Sequence, residues 1–289
     1  MFRRRLFAGA ALGAALGAAL ALGAALAPGA AHAEPVAIVT DLQGAASLRS
    51  GAGAVPLALL SELEAGAQVS LAGGARVTAL YLRSGDEYTA QGPGAVDFRA
   101  GRPEASGGAT LSRRAPQQGR EIRIRPASVA QGGLVVRSAG ARLVTPVAST
   151  VLETTPEFRW EDARRNVRYR FSLTDADGGA VYGAETEARA LRLPPSVALK
   201  PGSLYRWEVS VRSNGDHLQS VRATFRTASE EVRAQAQALR PDGAAGFSGR
   251  VAYAVWLDQA ELRDEARRLW RELAAERPDD AALRARAAN

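Results

Sequence analysis

The residues that most often carry enzyme chemistry are scarce in this chain. It has no cysteine and two histidines. His32 belongs to the first 33 residues, which we expect to be removed, and this leaves His217 in a predicted hairpin turn at residues 214–217. A single histidine without cysteine is too few for the usual transition-metal sites. No Gly-x-Ser-x-Gly motif supplies a nucleophile beside it, and no phosphate-binding glycine loop is present. The sequence therefore predicts a protein that is not an enzyme and that holds no metal and no cofactor.

Acidic residues leave two alternatives. Asp175 and Asp177, followed by Gly178, resemble the start of a calcium loop, but the later acidic ligand of such a loop is missing at its spacing, so a turn is favoured. Asp and Glu together number 30, which is enough for a carboxylate-based hydrolase. Sequence spacing alone does not identify a glycosidase pair, so the hydrolase is a remote alternative.

A basic cluster follows the first third of the chain. Its members are Arg113, Arg114, Arg120, Arg123 and Arg125. Glu121 is the only acid between them, so the cluster is either a solvated face or a surface for an anionic glycan, the cell wall or a membrane. Exposed aromatic residues such as Tyr81 or Tyr88 would complete a glycan site. No aromatic residue lies inside the cluster to stack on bases, so nucleic acid is not expected as a partner.

The first 33 residues have the pattern of an export signal. Arginines at 3–5 precede an uncharged run rich in Ala, Leu and Gly over 6–26, and residues 31–33 read Ala-His-Ala, as a signal peptidase requires. Cleavage before Glu34 predicts a periplasmic or otherwise extracytoplasmic protein with no stable membrane span. A membrane anchor is the alternative, because the run is nearly long enough. General secretion is favoured over the twin-arginine route, since Arg3 replaces the usual Ser or Thr.

The overall charge says less about partners than it first suggests. The formal net charge is +7, but the first 33 residues hold three of the 37 basic residues and none of the 30 acids. The remaining chain therefore carries +4, and Lys200 is its only lysine. This modest excess of arginine is no evidence of phosphate recognition by itself.

Short strands separated by glycine turns predict an all-β domain over residues 34–137. The strand segments are 37–39, 45–48, 69–71, 77–82, 88–90 and 95–98. The stretch 101–119 is rich in Gly, Pro, Ser and Arg, which predicts a loop. The alternating residues 121–125 predict an edge strand.

This domain resembles the FecR-like extracytoplasmic domain over residues 36–100. The similar segments are 63–66, 74–77, 80–82, 84–88 and 92–95, in which glycine turns alternate with short apolar strands. The resemblance implies that fold and an envelope setting. In signalling members an anti-sigma segment and a membrane helix precede the domain. Here we expect a signal peptide to lead into it directly, so the resemblance does not imply sigma regulation.

Residues 138–228 resemble a fibronectin type III-like or immunoglobulin-like sandwich. About seven short strands fill this segment, and Asp177 with Gly178 closes a predicted hairpin. Tyr205 follows a Leu-x-Pro-Gly corner at 199–202, which is the pattern of a tyrosine corner. In that arrangement the tyrosine hydroxyl bonds to upstream backbone, while the ring packs inside the sandwich.

From residue 229 the apolar residues recur at helical spacing. Residues 230–239 predict one helix, and 262–280 are similar to the second half of a tetratricopeptide repeat. One such hairpin cannot bury its apolar face alone. It must pack on the sandwich, on itself with the 230–239 helix, or on a partner. The apolar residues that could meet a partner are Trp256, Trp270, Leu262 and Leu273.

Together these patterns predict a mainly β protein with an α tail. Its four segments are the signal peptide 1–33, the FecR-like β domain 34–137, the sandwich 138–228 and the helical segment 229–289. The favoured function is an exported, non-enzymatic envelope protein that acts as a protein-interaction, sensing or scaffold module. The alternative is a glycan- or peptidoglycan-binding module that uses the basic cluster.

Overall fold

The part of the chain that the structure describes is mainly β, and its helices follow its strands. The computed structural model describes residues 34–50, 53–116, 122, 141–212, 218–243 and 245–288. Within these ranges eighteen strands extend as far as Thr227, and four helices follow from Glu230. The predicted fold class, mainly β with an α tail, is confirmed.

The first β domain is a sandwich of two antiparallel five-stranded sheets. Its strands are β1 (Pro35–Gln43), β2 (Ala46–Ser50), β3 (Gly53–Pro56), β4 (Glu62–Glu64), β5 (Gln68–Leu71), β6 (Arg76–Tyr81), β7 (Glu87–Gln91), β8 (Gly94–Phe98), β9 (Pro103–Ser106) and β10 (Thr110–Arg114). Sheet 1 has the order β10-β7-β6-β1-β4, and sheet 2 has the order β3-β2-β5-β8-β9. The core between them includes Val39, Tyr81, Val96 and Phe98.

The expected loop at 101–119 is wrong in part, because it contains the edge strands β9 and β10. β9 pairs with β8, and β10 pairs with β7. Gly107 and Gly108 join the two strands at φ values of 63° and 93°, a region that glycine adopts at low cost. Edge strands expose much of their side-chain surface, so their polar composition is similar to that of a loop. Of the predicted strand at 121–125, only Ile122 lies within the described residues.

Sheet 1 is covered on both faces. Five of the six residues of β6 are buried, including Val77 on one face and Leu80 on the other. Leu80, Leu82 and Ile38 of β1 belong to a hydrophobic cluster shared with the helices. A sheet that is buried on both faces carries near-continuous apolar runs instead of a polar–apolar alternation.

The second β domain is also a two-sheet sandwich. Its strands are β11 (Arg142–Thr145), β12 (Thr150–Val151), β13 (Glu157–Glu161), β14 (Tyr169–Asp175), β15 (Ala180–Thr186), β16 (Ala190–Arg192), β17 (Leu204–Arg212) and β18 (Leu218–Thr227). One sheet has the order β11-β13-β16, and the other has the order β12-β18-β17-β14-β15. Aromatic residues fill the core, where Phe158 lies 4.9 Å from Phe171 and 5.1 Å from Trp207 between ring centroids.

Two local predictions in this domain are confirmed. The Tyr205 hydroxyl accepts a hydrogen bond from the Lys200 backbone N–H at 2.9 Å, and its ring stacks on Phe225 at 5.7 Å, as in a tyrosine corner. The Asp175 carboxylate accepts hydrogen bonds from the backbone N–H groups of Asp177 and Gly179, at 3.1 and 2.7 Å. Asp175 therefore closes a turn.

The C-terminal segment folds into the helices α1 (Glu230–Leu239), α2 (Phe247–Gln259), α3 (Arg263–Glu276) and α4 (Ala281–Ala288). Ser229 caps α1, since its hydroxyl accepts the Val232 N–H at 3.2 Å. Asp280 caps α4 in the same way, through the N–H groups of Ala282 and Leu283 at 2.9 and 3.1 Å. These polar residues satisfy backbone donors that would otherwise lack a partner.

We expect Tyr205→Phe to destabilise the protein by about 1–2 kcal/mol, because it leaves the Lys200 N–H without its acceptor. Urea denaturation followed by tryptophan fluorescence measures the loss. Tyr182→Phe is the matched control, since the Tyr182 ring packs near Phe171 but its hydroxyl makes no hydrogen bond within the described residues. Equal losses in both variants would contradict the assigned role of the corner.

Candidate functional site: the cleft between the first β domain and the helices

Helix α2 is the centre of the helical segment. Its residues Val251 to Leu257 are all buried, including the side chains on opposite faces of the helix. A helix that is apolar all round must be surrounded by other elements. Here α3 packs on one side of α2 and sheet 1 on another. Of the three packing arrangements left open by the sequence, the structure shows the helices packed on each other. It also packs α2 on the first β domain, an arrangement that the sequence did not predict.

This arrangement decides where the four apolar candidate residues lie. The exposed fraction is 5% for Trp256, 1% for Trp270, and 0% for both Leu262 and Leu273. All four belong to the cluster that joins the helices to sheet 1. They form a core in this structure and leave no open apolar patch for a partner.

A half-buried carboxylate holds the indole of Trp270. The indole N–H donates to the Asp258 carboxylate at 2.8 Å, and Arg286 of α4 lies 3.5 Å from the same oxygen. Burial raises the pKa of Asp258 above its ordinary value, while Trp270 and Arg286 oppose that rise. Asp258 thus connects α2, α3 and α4 inside the helical segment.

A chain of hydrogen bonds joins sheet 1 to the N-terminus of α2. The Ser248 hydroxyl donates to Glu87 of β7 and lies 2.6 Å from the hydroxyl of Thr40 on β1. Because the Ser248 proton goes to Glu87, Thr40 is the donor to Ser248. Arg114 of β10 lies 3.5 Å from the other Glu87 oxygen, so this carboxylate, whose side chain is 16% exposed, has partners on both sides.

The end of α3 is bound to the same sheet by Arg277. Its guanidinium donates to the Asp41 carboxylate of β1 at 2.7 Å. The guanidinium also lies 3.5 Å above the centroid of the Phe247 ring, at the start of α2. Such a cation–π contact adds attraction beyond the ion pair. Arg277 therefore links the end of α3 and the start of α2 to β1.

The start of α3 contacts the second β domain through polar groups. The Asp264 carboxylate accepts hydrogen bonds from the hydroxyls of Thr145 and Ser149, at 2.6 and 3.3 Å. The Thr150 backbone N–H donates to the Glu261 carbonyl at 3.0 Å. The helical segment thus contacts both β domains.

Between sheet 1 and the helices a cleft of about 220 Å³ remains open. We define the junction cleft by the residues that line it, which are Leu80, Gly85, Glu87, Arg114, Ala115, Pro116, Ile122, Leu239, Arg240, Pro241, Asp242, Ala245, Gly246, Gly249 and Ala252. Its apolar residues Leu80, Leu239 and Ala252 are buried. Arg240 and Asp242 on the helical side are exposed, so charges of both signs surround an apolar floor.

The basic cluster is only partly described, and its two described members are paired. Arg113 donates to Asp86 at 3.0 Å, and this bond raises the pKa of the guanidinium. Arg114 pairs with Glu87 and lines the junction cleft. The other three arginines of the cluster, Arg120, Arg123 and Arg125, lie outside the described residues.

The aromatic residues expected to be exposed beside this cluster are not. Tyr81 is 1% exposed, and its hydroxyl donates to the Arg99 carbonyl at 3.1 Å. Tyr88 is half-buried, with its ring 5.1 Å from that of Tyr81. The expectation was wrong for Tyr81, because β6 is buried on both faces. This part of the sheet therefore offers no aromatic wall to a sugar.

The described part of the chain shows no catalytic histidine, metal site or membrane-spanning helix. His217 lies outside it. No group of three or more His, Cys, Asp or Glu side chains within it is placed to hold a metal ion. None of the helices in this part is long and apolar enough to cross a membrane.

Comparisons with known proteins give only weak likenesses. No protein-family model and no curated protein matches the chain. CopC from Methylosinus trichosporium OB3b is 19% identical, with a TM-score of 0.24 over 31% of this chain and 95% of CopC. The fn3 domain of the human collagen alpha-1(XX) chain is 17% identical, with a TM-score of 0.24 over 40% of this chain and 95% of that domain. At these TM-scores neither likeness carries an argument about this protein.

Thr40, Ser248 and Glu87, which join sheet 1 to α2, are residues that the sequence patterns missed, and of the three Glu87 lines the junction cleft. They are far apart in the chain, and each is of an ordinary surface type. The available signal was the apolar run at 77–82, which predicts a sheet covered on both faces. A serine at the start of the helix that covers such a sheet is well placed to meet its polar residues.

Glu265 is a half-buried carboxylate at the contact between α3 and the second β domain, and it allows that contact to be tested. Glu265 accepts the Leu152 N–H at 3.5 Å through one oxygen, while its other oxygen is buried without a partner among the described residues. Burial raises the pKa of Glu265, and neighbouring Asp264 raises it further. The folded state therefore binds the proton more tightly than the unfolded chain, so this carboxyl destabilises the fold at neutral pH and less so as the pH falls.

We expect Glu265→Gln to raise the melting temperature at pH 7 by about 2–4 °C, as a gain of about 1 kcal/mol does in a chain of this size. The gain should shrink towards pH 4, where the wild-type carboxyl is also neutral. Thermal unfolding across this pH range measures both effects. Glu272→Gln, on the exposed face of the same helix, should change little. A Glu265→Gln variant that is less stable than the wild type at pH 7 would contradict this prediction, because it would mean that the charged carboxylate stabilises the fold.

Proposed function

We propose that this protein is an exported, non-enzymatic protein of the bacterial cell envelope, and that it binds a protein partner in the junction cleft. In this role it is a scaffold or sensing module. The observation that carries the proposal is the composition of the cleft, in which a buried apolar floor is surrounded by Glu87, Arg114, Arg240 and Asp242. Protein interfaces combine an apolar centre with a polar rim in the same way.

The size of the cleft favours a protein over a small molecule. Pockets for cofactors and drug-sized ligands usually enclose about 300–1,000 Å³, whereas the junction cleft encloses about 220 Å³. That space suits one or two side chains of a partner, which is how anchor residues bind at interfaces. Because the rim carries both signs of charge, a partner segment with an apolar anchor and flanking charges fits best.

The envelope setting rests on the sequence. The export pattern of residues 1–33 and the resemblance of 36–100 to FecR-like domains both support it. The tetratricopeptide-like resemblance of 262–280 is also part of the proposal, but we assign this hairpin to the core and not to partner binding. A repeat hairpin needs neighbours to bury its apolar face, and here sheet 1 and α1 supply them. We therefore assign partner binding to the cleft rather than to Trp256 and Trp270.

The alternative of glycan or peptidoglycan binding through the basic cluster has less support. Arg113 and Arg114 already pair with Asp86 and Glu87. The buried ring of Tyr81 offers no stacking surface to a sugar. No observation in the described ranges favours the carboxylate hydrolase.

Gly249→Leu tests the proposal. A Cβ at Gly249 meets only the Ala245 Cβ, at 3.9 Å, which is ordinary van der Waals contact, and the rest of the leucine side chain would extend from the wall of the cleft. Leucine also favours the helix more than glycine does. We expect this variant to fold and to bind its partner at least tenfold more weakly, which corresponds to about 1.4 kcal/mol. Affinity capture from envelope extract, followed by titration of the captured protein, measures the loss.

Gly243→Leu is the control for that experiment. Gly243 lies in the connection between α1 and α2, does not line the cleft, and has open space around its Cβ position. It adds the same side chain close by, so partner binding should remain. Equal binding by wild type and both variants would overturn the assignment of the cleft.

A further inference from the structure

The outer face of the five-stranded sheet in the second β domain is open and basic. Along its strands Phe171, Trp207 and Phe225 point into the core. Because successive side chains in a strand point to opposite faces, the intervening residues lie on the outer face. Arg206 of β17 and Arg222 and Arg226 of β18 are among them, and all three are exposed.

The strand register brings these three arginines together. Arg206 pairs with Thr224, so Arg222 and Arg226 are its two diagonal neighbours on β18. Diagonal neighbours lie about 7–8 Å apart, within reach of long side chains. We define the arginine face by Arg206, Arg222 and Arg226.

Acidic residues neutralise this face only in part. Glu185 is used by Arg170, at 3.6 Å. Glu208 pairs across the strands with Arg222 in the register, but no ion pair forms between them, and Arg206 also makes none within the described residues. The three guanidinium groups carry like charges that repel one another, and Glu208 opposite Arg222 offsets this repulsion only in part. Arg226 also donates to the Gly202 carbonyl at 3.0 Å. An anionic ligand would remove the repulsion.

The other side chains of the face indicate which class of anionic ligand fits it best. Small hydroxyl residues, among them Ser172, Ser220 and Thr224, lie beside the arginines and are exposed, and no aromatic side chain lies on the face. The one large exposed apolar side chain that the described strands place on this face is Leu204, which lies at its edge, at the start of β17 and opposite Arg226. A protein interface would need an apolar centre, and a membrane surface would need several apolar residues to insert. Nucleic acid would need a platform for its bases. A flat surface of arginines and hydroxyls instead suits a polysaccharide with acidic groups.

We propose that the arginine face binds a carboxylate-bearing polysaccharide. The arginine guanidinium holds a carboxylate through two parallel hydrogen bonds. Arg222 and Arg226 are separated by roughly 13 Å along an extended strand, so they meet successive acidic groups of an extended polymer. Arg206 contacts the chain between them. This surface and this class of partner are separate from the junction cleft.

The test compares two triple variants that remove the same charge. Arg206→Ser, Arg222→Ser and Arg226→Ser clear the face. Arg142→Ser, Arg168→Ser and Arg192→Ser clear exposed arginines that pair with Glu161, Glu187 and Glu153 elsewhere on the domain. The probe is immobilised polygalacturonate at low salt, with neutral dextran as the reference polymer.

We expect the face variant to bind polygalacturonate about tenfold more weakly, since each of three exposed contacts contributes roughly a factor of two. The control variant should stay within about twofold of the wild type, and added salt should weaken wild-type binding. Equal losses in both variants would mean that net charge alone attracts the polymer. That result, or binding to phosphatidylglycerol vesicles without binding to polygalacturonate, would overturn the proposal.

A third variant covers the case in which the serine variant fails to fold. Arg206→Lys, Arg222→Lys and Arg226→Lys keep the charge but lose the paired donors of the guanidinium. We expect this variant to bind polygalacturonate a few-fold more weakly than the wild type does. Unchanged binding would overturn the proposed carboxylate recognition.

Discussion

The covering of sheet 1 by α2 is the interaction on which the rest of the structure depends. It buries Ile38, Leu80 and Leu82 against an apolar helix. The fully buried hydroxyl of Thr40 is tolerated in this contact because Ser248 accepts its hydrogen bond. α2 also supports α3, which contacts the second β domain, and it forms one wall of the junction cleft. The helical segment therefore connects the two sandwiches and creates the concave surface between the first of them and itself.

Local patterns in the sequence predicted the parts of the fold that depend on neighbouring residues. The helix at 230–239, the Asp175 turn and the tyrosine corner at Tyr205 each need only a few residues in the right order, and each is present. The strands β9 and β10 were missed because their pairing partners, not their own residues, make them strands. An exposed edge strand tolerates the glycines, serines and arginines that are also typical of loops.

The candidate site was harder to predict from the sequence than the fold, because it also depends on residues that are distant in the chain. Apolar residues at helical spacing indicate a buried stripe, but the spacing is the same whether a core or a partner buries it. The spacing around Trp256 and Trp270 therefore indicates helical structure, which α2 and α3 confirm, but it does not indicate which element buries the two side chains. The bond between Thr40 and Ser248 joins residues that are 208 positions apart, a separation that no local pattern predicts. The arginine face likewise depends on the register between β17 and β18.

The separation between β1 and the helices that cover it also governs the order in which this protein can fold. Synthesis proceeds from the N-terminus, so the strands of sheet 1 emerge long before residues 247–257 that bury their outer face. At ribosomal speeds of about 5–20 residues per second, the apolar side chains of Ile38 and Leu80 wait on the order of ten seconds for α2. During that interval the apolar side chains that α2 later covers form a surface prone to aggregation.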